Sequence, residues 1–460
     1  MSYSNFFTRE FASLDLKDAR LTRRAITIGN TLLRSPGSCI QEVFSSQNEA
    51  RCAYDFFSNP KVGWLNLLGN HQAQTIQRIQ DPSTEFVYII QDSTFYNYTA
   101  HKAKIDIGNI GKQGRFTQFG FLQHTALCIS EKDLPLGILE LDFMGYDDDL
   151  KSAAHREGFE AIASSRWRRF LAQINKKLQK VDKNIIILCD READFFEFLS
   201  DLYGGMCKFV IRSKWDRPTG ISGRARKDRF SELFNQVSPI GKVQLTISDP
   251  HTHKEQLRLF SIKTLKDIML PAIHRGAGHP QNKLPPIQIN LVEASDGQNH
   301  WVLLTNLPVH TLDEAIFVID AYRKRWHIEL LHKVLKTAYK AEQVYLHSSR
   351  EAVQSLLAMI NIAASQTYWL IHQARQSADI SATQCFGPQE IAALHIYLFQ
   401  RLPDTYLAYS LKDIYYQIAQ LGGYKNLNNK HPPGILTIYR GIKKLSDITQ
   451  MYKAIMSIKT

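Results

Sequence analysis

The chain has 460 residues, too many for one ordinary domain, so two or three domains are expected. Hydrophobic residues make up 44%, which excludes wholesale disorder, and 56 Lys+Arg against 44 Asp+Glu leave a formal net charge of +12. That surplus favours a polyanionic partner but specifies neither a fold nor a reaction.

The start, MSYSNFFTREF, has no basic segment followed by an apolar one, so no signal peptide is expected. Over residues 1–66 the patterning is helical. Leu21, Ala25, Ile28 and Leu32 recur at steps of 4, 3 and 4, which aligns them on one helical face. Ser46 and Glu49 have capping-box spacing ahead of Ala50, Ala53, Tyr54 and Phe57, and Asn59-Pro60 ends that helix. The texture then changes. FVYII (86–90) reads as a buried strand, and 124–129 and 137–141 follow as further strands. A long helix is predicted over 157–180, then a strand at 185–188, a helix over 193–202 and a strand at 208–212. From 213 to 298 the patterning is strand and loop: KVQLTI, LRLFSIK and IQINLV are strand-like and separated by Gly/Pro-rich segments. One long helix is predicted over 312–341, and 345–460 is mostly helical, broken at Gly422-Gly423 and at Pro432-Pro433-Gly434. The stretch 356–371 is interrupted by Asn361, Ser365, Gln366 and Thr367, so it predicts a buried helix and not a membrane span. The six cysteines (39, 52, 128, 189, 207 and 385) form no CxxC pair, so neither a zinc site nor a disulfide framework is expected, and a reducing cytosol fits.

Three carboxylates stand out. Asp92 follows FVYIIQ and Asp190 follows IIILC. A charged residue after an apolar strand is held at the sheet edge where α/β sites form, although Asp also favours caps and turns. With Tyr322 at zero and about 100° per residue, Arg325 falls near 300°, Glu329 near 340° and Lys336 near 320°. Trp326, Leu330, Leu331 and Val334 fill the neighbouring arc, so one helix is expected to pack on the sheet while its polar stripe lines the rim. A solvated basic face explains Arg325 and Lys336, but not the lone carboxylate among them. Carboxylates from two strand ends and a helix suit a pair of Mg²⁺ ions, which clamp the attacking and leaving oxygens of a phosphoryl displacement. Candidate phosphate contacts are Lys17, Arg20, Arg23 and Arg24 near the start of an amphipathic helix. A second set is the basic run from Arg212 through Lys214, Arg217, Arg224, Arg226 and Lys227 to Arg229.

Tyr322, Arg325, Glu329 and Lys336, separated by two, three and six residues, resemble the Tyr-Arg-Glu-Lys signature of bacterial cut-and-paste transposases of the insertion sequence four family. QDSTFY (91–96) and CDREADFFEFL (189–199) resemble that family's first and second Asp regions, and FVIRSK (209–214) the strand after the second. LKDARLTRRA (16–25) resembles its DNA-recognition segment and AYDFFSNPKV (53–62) the end of that domain. LGGY (421–424) and PPGILTIYRGIKKL (432–445) resemble its C-terminal region, so the resemblance spans nearly the whole chain.

The resemblance implies an α/β fold. An RNase H-like catalytic core, a mixed five-stranded sheet with helices, would be interrupted by a β-strand insertion and flanked by all-helical domains. The divisions would be 1–66 for end binding, 67–365 for catalysis with the insertion over about 213–305, and 366–460 for dimerisation. Asp92, Asp190 and Glu329 would be the catalytic triad and the ligands of two Mg²⁺ ions, with Mn²⁺ substituting. Tyr322, Arg325 and Lys336 would grip phosphates and a flipped base, and Trp301 would probe that base. His332 and Lys333 resemble positions near the transferred strand. The expected partners are double-stranded transposon ends and target DNA, and a second copy of the chain in a homodimeric synaptic complex. A membrane and a small-molecule cofactor are not expected. The expected setting is the bacterial cytoplasm, at the nucleoid. An end-binding repressor that does not cut, and an RNase H-like nuclease that does not transfer strands, are the competing readings.

Overall fold

A computed structural model describes the chain except residues 1–2, 38–39, 45, 102–107, 114, 145–158, 221–227, 249–254, 272–283, 344–348, 377–379, 404, 406–408, 426–431 and 459–460. Arg224, Arg226 and Lys227 lie outside the described residues.

Helices α1 (Phe6–Glu10), α2 (Ala19–Arg34), α3 (Ile40–Val43), α4 (Gln47–Phe57) and α5 (Trp64–Ile79) open the chain. On α2 three of the four stripe residues, Ala25, Ile28 and Leu32, are buried while Leu21 is half-buried, and the Asp18 side chain caps the helix by accepting from Arg20 N. Ser46 Oγ accepts from Glu49 N, so the predicted cap of α4 forms. Strands β1 (Phe86–Asn97), β2 (Asn109–Gln113), β3 (Phe116–Ser130) and β4 (Pro135–Met144) follow, then α6 (Phe159–Leu178), β5 (Asn184–Cys189), α7 (Phe196–Tyr203) and β6 (Lys208–Arg212). The next segment holds α8 (Phe230–Gln236), β7 (Gly241–Ser248), β8 (Glu255–Leu270), β9 (Ile287–Ser295) and β10 (His300–Thr305). Helices α9 (Leu312–Arg323), α10 (Trp326–Thr337), α11 (Arg350–Gln376), α12 (Pro388–Phe399), α13 (Leu411–Leu421) and α14 (Ile435–Ile458) complete it.

The chain divides into two compact units, one of Met1–Arg78, Ser93–Asp148 and Glu329–Thr460, the other of Ile79–Asp92 and Asp149–Ile328. Positions 66 and 365 both fall inside the first unit. The reason is α11. It is buried on every side from Ala352 to Thr367, so helices from both ends of the chain and β4 pack around it. Its polar residues are satisfied there: Asn361 and Gln123 exchange two amide hydrogen bonds of 2.9 Å, and Ser355 Oγ donates to Val62 O. At the C-terminal end α13 and α14 touch through glycine. A Cβ on Gly441 would lie 1.9 Å from Ile418 O.

A buried polar cluster also belongs to the first unit. Glu10 accepts from Arg78 Nη1 and Nη2 at 3.0 Å each, and its Oε1 meets His71 Nδ1. His71 Nε2 accepts from Ile138 N at 2.9 Å, so the ring proton sits on Nδ1 and is donated to Glu10. Gly137 beside it has φ +138, and a Cβ there would lie 2.2 Å from Thr75 Oγ1. The cluster therefore joins α1, α5 and β4.

In the second unit the strand order is β1-β5-β6-β10-β9-β8-β7. β1, β5 and β6 pair parallel and the remaining neighbours antiparallel, so the sheet is mixed as expected. The strands expected as a β insertion, β7 to β10, continue the same sheet, because β10 pairs directly with β6. Among the described residues no helix is long and apolar enough to cross a membrane.

Candidate active site

The second unit brings two carboxylates together by register. β5 is NIIILC, with all residues after Asn184 buried, as a strand covered on both faces requires. β1 pairs with it from Phe86 opposite Asn184 to Ile90 opposite Leu188, so continuing the same offset sets Asp92 level with Asp190. The β5–β6 register, Cys189 opposite Ile211, sets Asp190 level with Arg212 in turn. Neighbouring strands lie about 4.8 Å apart, so two like charges are held side by side at the carboxyl end of the parallel strands. At about 5 Å and an effective dielectric near 20 their repulsion is about 3 kcal/mol, a cost that a cation relieves.

One fixed cation is already at hand. Arg325 Nη1 lies 4.0 Å from Asp92 Oδ2, and its guanidinium carbon is 5.7 Å from the Tyr322 ring centre. Burial pulls the Arg212 guanidinium below its ordinary value; Tyr322 opposes this, and Arg191 and Arg325 add to it. Burial pushes the Cys189 thiol well up, and the charges of Asp190 and Asp92 push it further, the mark of a converging negative field. Asp190 Oδ1 accepts from Glu192 N, so the capping role open to this residue is also filled.

Two expectations need correction. Asp92 does not end its strand: β1 runs on to Asn97, because Thr94 and Tyr96 are buried in alternation with outward neighbours and keep the chain extended. Nor does one helix run over 312–341. It breaks between Arg323 and Trp326, where Arg325 N bonds to Tyr322 O and Ile328 N to Arg325 O in three-residue turns. The single polar stripe therefore does not exist as drawn. Tyr322 ends α9 and is 6% exposed, and its ring centre is 6.1 Å from that of Trp301. Arg325 lies in the turn, and Glu329 and Lys336 are on α10, both half-buried. Trp326, expected in the apolar arc, is 56% exposed.

The remaining candidates scatter by environment. Lys333, Lys214, Lys17, Arg20 and Arg23 are exposed, and Arg24 and Arg212 are half-buried. Lys17 pairs with Asp15, and Arg20 with Asp18. His332 is buried and not a surface contact; burial and then Lys336 pull its imidazole down to about 3, so it is neutral. Arg217, read as part of a basic arm, is buried on Asp194, and Arg229 Nη1 donates to Asp216 O. Asp194 itself stands within the DREAD segment beside Asp190, which was the available signal, but nothing in the sequence marked it as buried.

Asp92 and Asp190 offer hard oxygen donors in a negative field, which fits a divalent cation. Among the described residues no three His, Cys, Asp or Glu side chains stand close enough together to hold a metal ion. The fit therefore rests on this pair.

Residues 3–62 match a family model described as transposase DNA-binding, and residues 162–365 match one described as transposase DDE domain. The first spans α1 to α4 with the basic start of α2, and the second includes Asp190, Arg212, Trp301, Tyr322, Arg325, Glu329 and Lys336 while Asp92 precedes it.

Proposed function

We propose that this chain, which carries a transposase DNA-binding domain and a transposase DDE domain, is a cut-and-paste DNA transposase. The observation that carries the proposal is the level pair Asp92 and Asp190 on adjacent parallel strands, with Arg325 beside Asp92. The finer assignment is to the insertion sequence four family, with a resemblance to the transposon five transposase, and it rests on Tyr322, Arg325, Glu329 and Lys336.

In this reading Asp92, Asp190 and Glu329 hold two Mg²⁺ ions, with Mn²⁺ substituting, which when bound activate the attacking oxygen and stabilise the leaving one. Water nicks one strand at the transposon end. The freed 3′-OH attacks the opposite strand to form a hairpin and release the flank, a second water opens the hairpin, and the 3′-OH then joins target DNA. Arg325 and Arg212 neutralise the phosphodiester at the carboxylate row, and Lys336 and Lys333 of α10 add charge for the strand. Lys17, Arg20, Arg23 and Arg24 of the DNA-binding domain track the phosphates of the end. The three-part division 1–66, 67–365 and 366–460 is retained as a functional one.

The synaptic complex is proposed to be a homodimer. In its favour, the end of α14 exposes the apolar side chains of Met451, Ile455, Met456 and Ile458. The test is a supercoiled target plasmid incubated with the protein, Mg²⁺ and a precut DNA bearing the element's end. Joined product in which the end's 3′ oxygen is bonded to a target phosphate, with a target 3′-OH released, supports the proposal; hydrolysis without joining favours a nuclease, and binding without either favours an end-binding repressor.

A further inference from the structure

Among the described residues of the second unit Asp194 is a heavily used carboxylate, and neither binding nor catalysis as described above needs it. Its side chain is fully buried. Oδ1 accepts from Arg217 Nε at 2.9 Å and Nη2 at 2.6 Å, and its carbonyl accepts from Arg217 Nη2 at 2.7 Å. Oδ2 accepts from Ser213 Oγ at 3.2 Å, Lys214 N at 2.7 Å and Trp215 N at 3.2 Å. One carboxylate thus sets the path of residues 213–217 as they leave β6.

The ties continue beyond it. Ser213 Oγ also donates to Trp215 O at 2.8 Å, and Ser231 N and Oγ donate to Asp216 at 2.9 and 2.7 Å. Ser213 N donates to Val302 O, which extends the β6–β10 pairing one residue past Arg212. This network holds an aromatic ring outward: Trp215 is 55% exposed, with Lys214 Nζ 4.9 Å from its ring centre. The indole is thus presented to solvent on a backbone fixed by a buried ion pair.

Position specifies the use. Trp215 stands three residues after Arg212, which is level with Asp190 in the carboxylate row. Trp301, the aromatic expected to probe a flipped base, is already packed against Phe260 at 5.7 Å and Tyr322 at 6.1 Å between ring centres. Trp215 has an exposed face and a cation on it, the combination that stacks an unpaired base and holds the adjoining phosphate.

We propose that Trp215 and Lys214, positioned by the Asp194–Arg217 pair, form a stacking platform for an unpaired base of DNA beside the carboxylate row. The proposal rests on the transposase reading given above. It assigns Trp215 as a base-contacting residue and Asp194 as a positioning residue.

The test uses the full chain and two duplexes bearing the element's end. One is fully paired, and the other carries a two-nucleotide mismatch with 2-aminopurine near the cleavage point. Wild type should quench the probe and bind the mismatched duplex; Trp215→Ala should abolish the quench and weaken that binding by about 5- to 150-fold, the range for one base–aromatic stack. Affinity for the paired duplex should stay within about twofold, because phosphate contacts dominate there. Trp215→Phe should keep most of the quench, and Asp194→Asn should lose it while leaving paired binding intact. Trp215→Ala alters an exposed side chain, so the test does not depend on how Asp194→Asn folds. Unchanged quench and affinity in Trp215→Ala would overturn the platform and leave the transposase reading standing. A wild-type protein that binds neither duplex would overturn the transposase reading itself.

Discussion

Replacing Glu10 by Gln should loosen the attachment of α1 to α5 and β4 without unfolding either helix. Burial pushes the Glu10 carboxyl up, but His71 and Arg78 outweigh it and bring it from 4.5 to about 2. That difference corresponds to roughly 3 kcal/mol at about 1.36 kcal/mol per pH unit. Removing one partner of a buried pair costs about 3–5 kcal/mol, and the Arg78 side chain, 17% exposed, keeps enough water for the low end. The assay is hydrogen exchange of the β4 amides, because Ile138 N is held by His71 Nε2, whose orientation depends on Glu10. At pH 7 the variant should exchange about 100-fold faster there, the equivalent of about 3 kcal/mol. The sign of the pH dependence follows from the depressed carboxyl. Its stabilisation is complete above 4.5 and is lost as pH falls toward 2, so the gap between wild type and variant should shrink by about half at pH 3. Burial, against the pull of Glu10, also lowers His71 from 6.5, so its neutral imidazole adds stability that begins to fade below that value. Equal protection of β4 in both proteins at pH 7 would refute the reasoning.

Glu329→Gln should bind end DNA as wild type does but lose nicking by roughly 10⁴-fold or more, measured by single-turnover cleavage. Gly441→Ala drives a Cβ to within 1.9 Å of Ile418 O and should cost about 1–3 kcal/mol, seen as a lower Tm for the helical end by calorimetry. Binding of end DNA should weaken steeply with salt, and each of Arg20→Ala and Arg23→Ala should reduce the log–log slope by roughly one, read by fluorescence anisotropy.

The strands that carry the candidate site were legible because apolar strands announce themselves. FVYII and IIIL each had to be buried, and Asp190 had to emerge where β5 ends, whereas Asp92 lies within β1, which runs on to Asn97. Their side-by-side placement was not legible, since it depends on a parallel register between segments almost a hundred positions apart. The break after Arg323 was hidden because Lys324 and Arg325 are good helix formers. Tertiary contacts accompany it: Lys324 Nζ lies 5.3 Å from the Tyr88 ring centre and Arg325 turns toward Asp92. The same limit applies to charge. Arg217 and Lys214 look alike in the sequence, yet one is sealed on Asp194 and the other stands in solvent, because burial is decided by packing and not by residue type. The basic surplus is therefore a poorer guide to DNA contacts than to the partner's charge.

The carboxylate row is the centre of the account, and one cleavage measurement tests it most directly. Wild type and Asp190→Asn are compared with Mg²⁺ on a labelled duplex bearing the element's end, with binding measured in parallel. Wild type should nick at the end, and Asp190→Asn should bind without nicking. Equal nicking by the two proteins would contradict the role given to the carboxylate row.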